Sequence, residues 1–89
     1  MPKAAKNIIG LTLRRLRVGK NLTQEAFAAQ CQLAGWDVTR ATISKIEAGL
    51  RRVNDAEILM LQKVLNIQLT ELFPLLPSNL LEVLRHSEP

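Results

Sequence analysis

The side chains that most often carry out catalysis or bind metals are scarce in this chain. It contains one cysteine, Cys31, and one histidine, His86, and neither has the companion ligands that a zinc site needs. A lone cysteine excludes an intramolecular disulfide, and no glycine-rich phosphate-binding loop is present. We therefore predict no metal, no cofactor, no small-molecule ligand and no enzymatic activity.

With catalytic and metal-binding residues scarce, positive charge is the main chemical feature of the chain, and it is unevenly distributed. Residues 1–52 contain ten lysines and arginines against three acidic residues, a net charge of +7, whereas residues 53–89 contain two against five, a net charge of −3. A basic half suits the phosphates of DNA, and an acidic half suits water or a second subunit. Because a basic half could equally be a solvated surface, charge alone does not decide the function.

The elements that position these charges are predicted to be helices. Apolar residues recur at helical spacing and no alternating strand pattern is present, so an all-α domain is expected. Thr23 and Thr39 suit N-caps, and Asn54 with Glu57 forms a capping-box pair. The predicted helices are 8–18, a second from Thr23 to about 33, 40–48, a fourth beginning near 54, a short one at 69–73, and 79–85.

Three predicted helix ends carry residues that tolerate a left-handed backbone, Asn21, Gly35 and Gly49. Pro74 is expected to stop the fifth helix, and an Asn79–Glu82 pair to open the sixth. We predict a single domain spanning residues 1–89, with a core at 8–73 and a helical extension at 74–89.

The segment from 22 to 47, LTQEAFAAQCQLAGWDVTRATISKIE, carries the functional prediction. It contains two short helices, each opened by a threonine cap and joined by a turn with a glycine. The second helix turns Ile43 and Ile46 inward and leaves a polar face outward. Since an α-helix fits the major groove of DNA, the helix at 39–48 is predicted to read base edges there.

The chain resembles the lambda-repressor/Cro-like, or XRE-like, helix-turn-helix family. The resemblance rests on LRRLRVGKNLTQEAFA, VTRATISKIEAGLRR and AEILMLQKVLNIQLTELF, which lie within residues 8–73. It implies a compact five-helix DNA-binding domain, here with an extra C-terminal helix. It also implies a prokaryotic transcriptional regulator that binds double-stranded DNA, and we expect a repressor located in the cytoplasm and associated with the nucleoid.

The resemblance also implies roles for individual residues. The positions facing base edges are matched here by Thr39, Arg40, Ala41 and Lys45, and an arginine can bond guanine bidentately. Arg17 and Glu47 match positions that form a structural ion pair. Gln24 matches a position that bonds phosphate and can brace the DNA-reading helix. The phosphate-contacting set is expected to be Thr23, Gln24, Thr42, Ser44, Arg51 and Arg52.

One departure from the family is the longer stretch between Cys31 and Val38. We interpret it as an extra turn of the second helix followed by a wider turn, which leaves the angle of the DNA-reading helix open. Trp36 in this stretch is interpreted as a plug over the longer turn, and a contact with DNA backbone or a partner is the alternative.

The C-terminal segment from 75 to 85 is rich in leucine and carries part of the acidic charge. It could complete the core of the monomer or form the seam of a homodimer, and we favour the homodimer because palindromic DNA sites need two reading helices. A second hypothesis makes the chain a protein-interaction module or antitoxin-like accessory protein with the same fold. No apolar run is long enough to cross a membrane, and no membrane partner is expected.

Overall fold

The computed structural model describes residues 5–75 and 77–85, and these residues contain six helices and no strand. The prediction of an all-α fold is therefore confirmed. Leu76, part of the predicted dimer seam, and His86 lie outside the described residues. The helices are α1 (Gly10–Gly19), α2 (Gln24–Leu33), α3 (Arg40–Glu47), α4 (Asp55–Leu65), α5 (Leu69–Leu72) and α6 (Leu80–Arg85).

The N-caps predicted at Thr23, Thr39 and Asn54 are present. The hydroxyl oxygen of Thr23 accepts the N–H of Ala26 at the start of α2, and that of Thr39 accepts the N–H of Thr42 at the start of α3. Asn54 and Glu57 form a reciprocal capping box at α4. Each cap satisfies backbone donors that the first helical turn would otherwise leave unpaired.

The first four helices end in the same way, with one residue at positive φ followed by a bond back across the last turn. Asn21, Gly35 and Gly49 adopt this conformation as predicted, and Asn66 adopts it at the end of α4. In each case the next residue donates its N–H to the carbonyl five positions earlier, as Trp36 does to Cys31 at 2.9 Å. These Schellman motifs satisfy the carbonyls of the last turn.

Helix bounds differ from the prediction at α1, α3, α5 and α6, the last of which begins at Leu80 rather than Asn79. Helix α1 begins at Gly10 rather than Ile8, and the side-chain oxygen of Asn7 accepts the N–H groups of Ile9 and Gly10 at its start. Helix α3 ends at Glu47, one residue before the predicted end, and α5 ends at Leu72. Phe73 is extended, as expected for a residue that precedes proline.

The core lies where α1, α2, α3 and α4 meet, with Ile67 and α5 closing one side. Cys31 is part of it, and burial raises the pKa of its thiol to about 11, so it acts as an uncharged core residue. Leu16, Trp36, Ile58 and Val64 pack against this core while remaining half-buried. The buried apolar residues are Ile9, Leu13, Phe27, Ala28, Cys31, Val38, Ile43, Ile46, Leu61, Leu65, Ile67 and Leu72.

Helix α6 is attached to the rest of the fold by its first residues and by one half-buried side. The Asn79 side-chain amide donates to the backbone carbonyl of Asn7 at 3.4 Å, and Val83 is half-buried. Leu80, Leu81 and Leu84 remain 42%, 67% and 53% exposed. Within the part of the chain that the structure describes, no helix has the length and apolar character needed to span a membrane.

Candidate nucleic-acid interface

Helix α3 separates an apolar face from a polar one. Ile43 and Ile46 are fully buried, whereas Arg40, Ala41 and Lys45 are exposed on the opposite side. Thr39, which caps the helix, is exposed next to them. Because the buried isoleucines fix the rotation of the helix, the exposed side chains form one continuous polar surface.

Two further polar residues of α3 flank this surface. Thr42 and Ser44 are half-buried, and the hydroxyl of Thr42 lies 3.2 Å from that of Thr39, within hydrogen-bonding distance. The structure therefore places the residues predicted to contact bases on one face and brings Thr42 to its N-terminal edge.

The longer turn between α2 and α3 is rigid at both ends. Gly35 and Trp36 complete the Schellman motif of α2, and the Gln32 side-chain amide donates to the carbonyl of Val38 at 2.7 Å. Val38 is buried next to Thr39, and Trp36 packs against the core. The added residues therefore hold the first turn of α3 in place, and the position of Trp36 agrees with its interpretation as a plug.

The last turn of α3 is attached to α1 by an ion pair and to α2 by a hydrogen bond. The Arg17 guanidinium donates to both carboxylate oxygens of Glu47, from Nε at 2.6 Å and from Nη2 at 2.9 Å. The side chains are only 9% and 3% exposed, and the hydrogen bond to Glu47 raises the pKa of Arg17. Gln24 donates to Glu47 at 3.0 Å, so it braces α3 from the first turn of α2.

The two arginines after α3 differ in their surroundings. Arg51 is half-buried and donates to both carboxylate oxygens of Glu57 at 3.0 and 2.9 Å, whereas Arg52 is exposed. Glu57 therefore neutralises one of the two cations predicted to hold phosphate. Sequence reasoning missed this pair, because Glu57 was assigned only to the capping box.

The pair with Arg51 makes the stability of this loop depend on pH. The bidentate hydrogen bond from Arg51 holds the pKa of the Glu57 carboxyl below its ordinary value of 4.5, while partial burial opposes the shift. A lowered folded-state pKa contributes stability that is present above the ordinary pKa and is lost as the pH falls through the folded-state pKa.

We therefore expect Glu57→Gln to lower the free energy of unfolding at neutral pH by about 1 kcal/mol or less, since the Arg51 side chain is 35% exposed. Below pH 4.5 the difference from the parent chain should shrink to nothing as Glu57 takes up its proton. Urea denaturation of both chains at neutral pH and at an acidic pH where Glu57 is protonated measures these differences in the free energy of unfolding. A gap that persists in acid would contradict the ion-pair origin.

A second set of contacts that sequence reasoning missed joins the start of α1 to the end of α3. Asn7 is 7% exposed, and its amide nitrogen donates to the carbonyls of Ile46 at 3.0 Å and Arg51 at 2.8 Å. A Cβ atom added to Gly10 would lie 2.4 Å from the Ile46 carbonyl oxygen. Glycine at this position is a sequence signal for such close backbone approach, whereas nothing local marks Asn7.

Comparisons with known proteins agree with this geometry. Residues 13–72 match the profile of the family described as helix-turn-helix. Among solved structures, the chain is similar to the restriction-modification controller protein C.AhdI from Aeromonas hydrophila, with 35% identity and a TM-score of 0.64 over 73% of this chain and 87% of that chain. A comparison with curated proteins finds no match. The family match ends before α6 begins.

Proposed function

This chain belongs to the helix-turn-helix family of DNA-binding transcription regulators, and from that premise we propose that it inserts α3 into the major groove of an operator and represses transcription there. The supporting observation is the exposed polar face of α3, held on a rigid, buried apolar face. The buried face fixes the direction in which each exposed Cα–Cβ bond points, and base recognition requires such a defined position.

The proposed readout is made by Thr39, Arg40, Ala41 and Lys45. Arg40 lies in the first turn of α3 and is exposed, and a guanidinium there could bond the O6 and N7 acceptors of a guanine. A cation there is mildly unfavourable beside the positive end of the helix dipole, and DNA would relieve that. Ala41 offers an apolar contact to a thymine methyl, and Lys45 reaches a base or a phosphate.

Phosphates are proposed to bind around this readout helix. The N-terminus of α2, with Thr23 and Gln24, presents backbone N–H groups and the positive end of its dipole to an anion. Thr42 and Ser44 are placed at the edge of α3. We assign the contacts after α3 to Arg52, which is exposed, and to Arg51, whose guanidinium also bonds Glu57. Such contacts orient the protein without reading sequence.

The test of DNA binding is titration of the purified chain with labelled random duplex DNA over a range of salt. A protein that makes about six phosphate contacts loses about a thousandfold in affinity between about 50 and 200 mM salt. Arg52→Ala should reduce the slope of log affinity against log salt by about one, and Lys63→Ala on α4 should leave it unchanged. No binding to duplex DNA at low salt would overturn the proposal.

Repression is tested separately, with a duplex selected from a random pool and placed across a promoter. The proposal expects transcription in vitro to fall as the chain is added, because a bound protein blocks access to the promoter. Increased transcription would contradict repression while leaving DNA binding intact. An antitoxin-like or protein-interaction role becomes the better account if the chain binds no duplex yet captures a defined protein.

We propose that the chain binds DNA as a homodimer through α6. The exposed side chains of Leu80, Leu81 and Leu84 supply an apolar surface there, and two-fold symmetry would place two copies of α3 one helical turn of DNA apart. A second group of exposed apolar residues is the alternative dimer interface. It consists of Leu59 on α4, Leu69 on α5 and Phe73, which follows α5.

We expect the double substitution Leu81→Lys and Leu84→Lys to convert a dimer into a monomer in sedimentation equilibrium. Each lysine would bring a charge into an apolar contact without a partner. Val18→Lys, at a residue 54% exposed on α1, serves as the matched control and should leave the dimer intact. If Leu59→Lys dissociates the dimer while the α6 variant does not, the seam lies on α4 and α5 instead.

A further inference from the structure

We propose that Asn7 is a positioning residue for DNA recognition, because it fixes the C-terminal end of α3 against the start of α1. This inference rests on the proposed function of α3. Asn7 lies outside the helices of the described residues and outside the family match, and it is only 7% exposed.

The side-chain amide of Asn7 is fully used. Its nitrogen donates to the carbonyls of Ile46 and Arg51 at 3.0 and 2.8 Å, and its oxygen accepts the N–H groups of Ile9 and Gly10 at 3.2 and 2.8 Å. An asparagine amide has two donor hydrogens and two acceptor sites. One side chain therefore joins the first turn of α1, the last turn of α3 and the loop that follows it.

The surrounding backbone leaves no room for a side chain at Gly10. A Cβ atom on Gly10 would lie 2.4 Å from the carbonyl oxygen of Ile46 and 2.8 Å from that of Glu47. The N-terminus of α1 thus meets the C-terminus of α3, which is a favourable arrangement of two helix dipoles. Asn7 sits at this meeting point and bonds both partners.

The position of the C-terminal end of α3 matters for DNA recognition because the helix is short. Its eight residues extend over about 12 Å, and both Asn7 and the Arg17–Glu47 pair hold its final turn. Because the first turn is bonded through Val38, a shift of the last turn would displace Lys45, which lies in it, relative to Arg40 by more than the small error that a base contact tolerates. Phosphate contacts, which tolerate more variation, would be affected less.

The test separates attachment of α3 from capping of α1. Asn7→Asp and Asn7→Ser each keep an oxygen that can accept from the N–H of Gly10, as good N-caps do. Asp lacks the donor for the carbonyls of Ile46 and Arg51, and Ser is too short to reach them. The readout is the ratio of affinities for the selected duplex and for random duplex, measured on the full chain at a temperature where circular dichroism shows it folded.

We expect this ratio to fall about tenfold in both variants, comparable with the loss of one base contact. Asn66→Asp, the same change of charge at the end of α4, should leave it unchanged. A purely structural role predicts an unchanged ratio, because partial unfolding weakens both affinities alike. An unchanged ratio in whichever variant folds would overturn the inference, whereas an unmodified chain that shows no preference for any duplex would overturn the proposed function.

Discussion

Replacing Glu47 with alanine is expected to lower the free energy of unfolding by about 3–5 kcal/mol, the usual effect of removing one partner of a buried ion pair. Arg17 would keep its charge in a site where its side chain is 9% exposed, and only the Leu22 carbonyl would still accept from it, at 2.7 Å. Gln24 would also lose its acceptor. Urea denaturation followed by circular dichroism measures the loss.

A double variant separates the stranded charge from the loss of packing. Arg17→Met combined with Glu47→Leu removes both charges and keeps apolar volume, and it should recover most of the stability, because well-packed apolar replacements of buried ion pairs are often neutral. If Glu47→Ala costs under about 1 kcal/mol, the pair behaves as a surface salt bridge and its burial has been misjudged. DNA binding by the double variant reports whether the pair also orients α3.

The second large effect is expected at Arg40. Arg40→Ala should remove about 1–3 kcal/mol of discrimination at one base pair of the selected duplex, because a bidentate arginine–guanine contact carries that much. Affinities for a panel of duplexes changed at one position each would locate the base pair, which should become tolerant of substitution while the others stay selective.

Arg40→Lys is the matched control for charge. Lysine keeps the positive charge, and therefore the salt dependence, but it cannot reproduce the planar two-bond geometry of a guanidinium. We expect this variant to bind random duplex like the parent chain and to lose preference at the same base pair as Arg40→Ala. If both variants keep the full preference, Arg40 takes no part in direct readout. The readout of that base pair would then be assigned to Lys45 or to recognition of DNA shape.

Most helix ends of this protein could be predicted because the bonds that form them are local. Thr23, Thr39 and Asn54 each accept the N–H of a residue three positions ahead. Asn21, Gly35 and Gly49 each occupy the single position where positive φ is required. The start of α1 was predicted two residues early, and Asn7, whose side chain bonds Gly10, also bonds a distant helix.

The site residues divide in the same way. The exposed face of α3 follows from its helical period and the two isoleucines, whereas the family resemblance implied that Arg40, Ala41 and Lys45 face DNA. The family resemblance, and no local pattern, implied that Arg17 and Glu47 would pair. The bond between Arg51 and Glu57 was missed, although only six positions separate the two residues, because a loop of undetermined path lies between them.

Local patterns thus determine which segments are helical and which face of each is apolar, since capping bonds and hydrophobic periodicity act within one or two turns. The packing of the helices decides the rest. Asn7 meets Ile46 across 39 positions and Arg17 meets Glu47 across 30, and these contacts exist only because α1 crosses the end of α3 at backbone contact. That crossing depends on how all the buried side chains fill the core together, a property that no single stretch of the chain encodes.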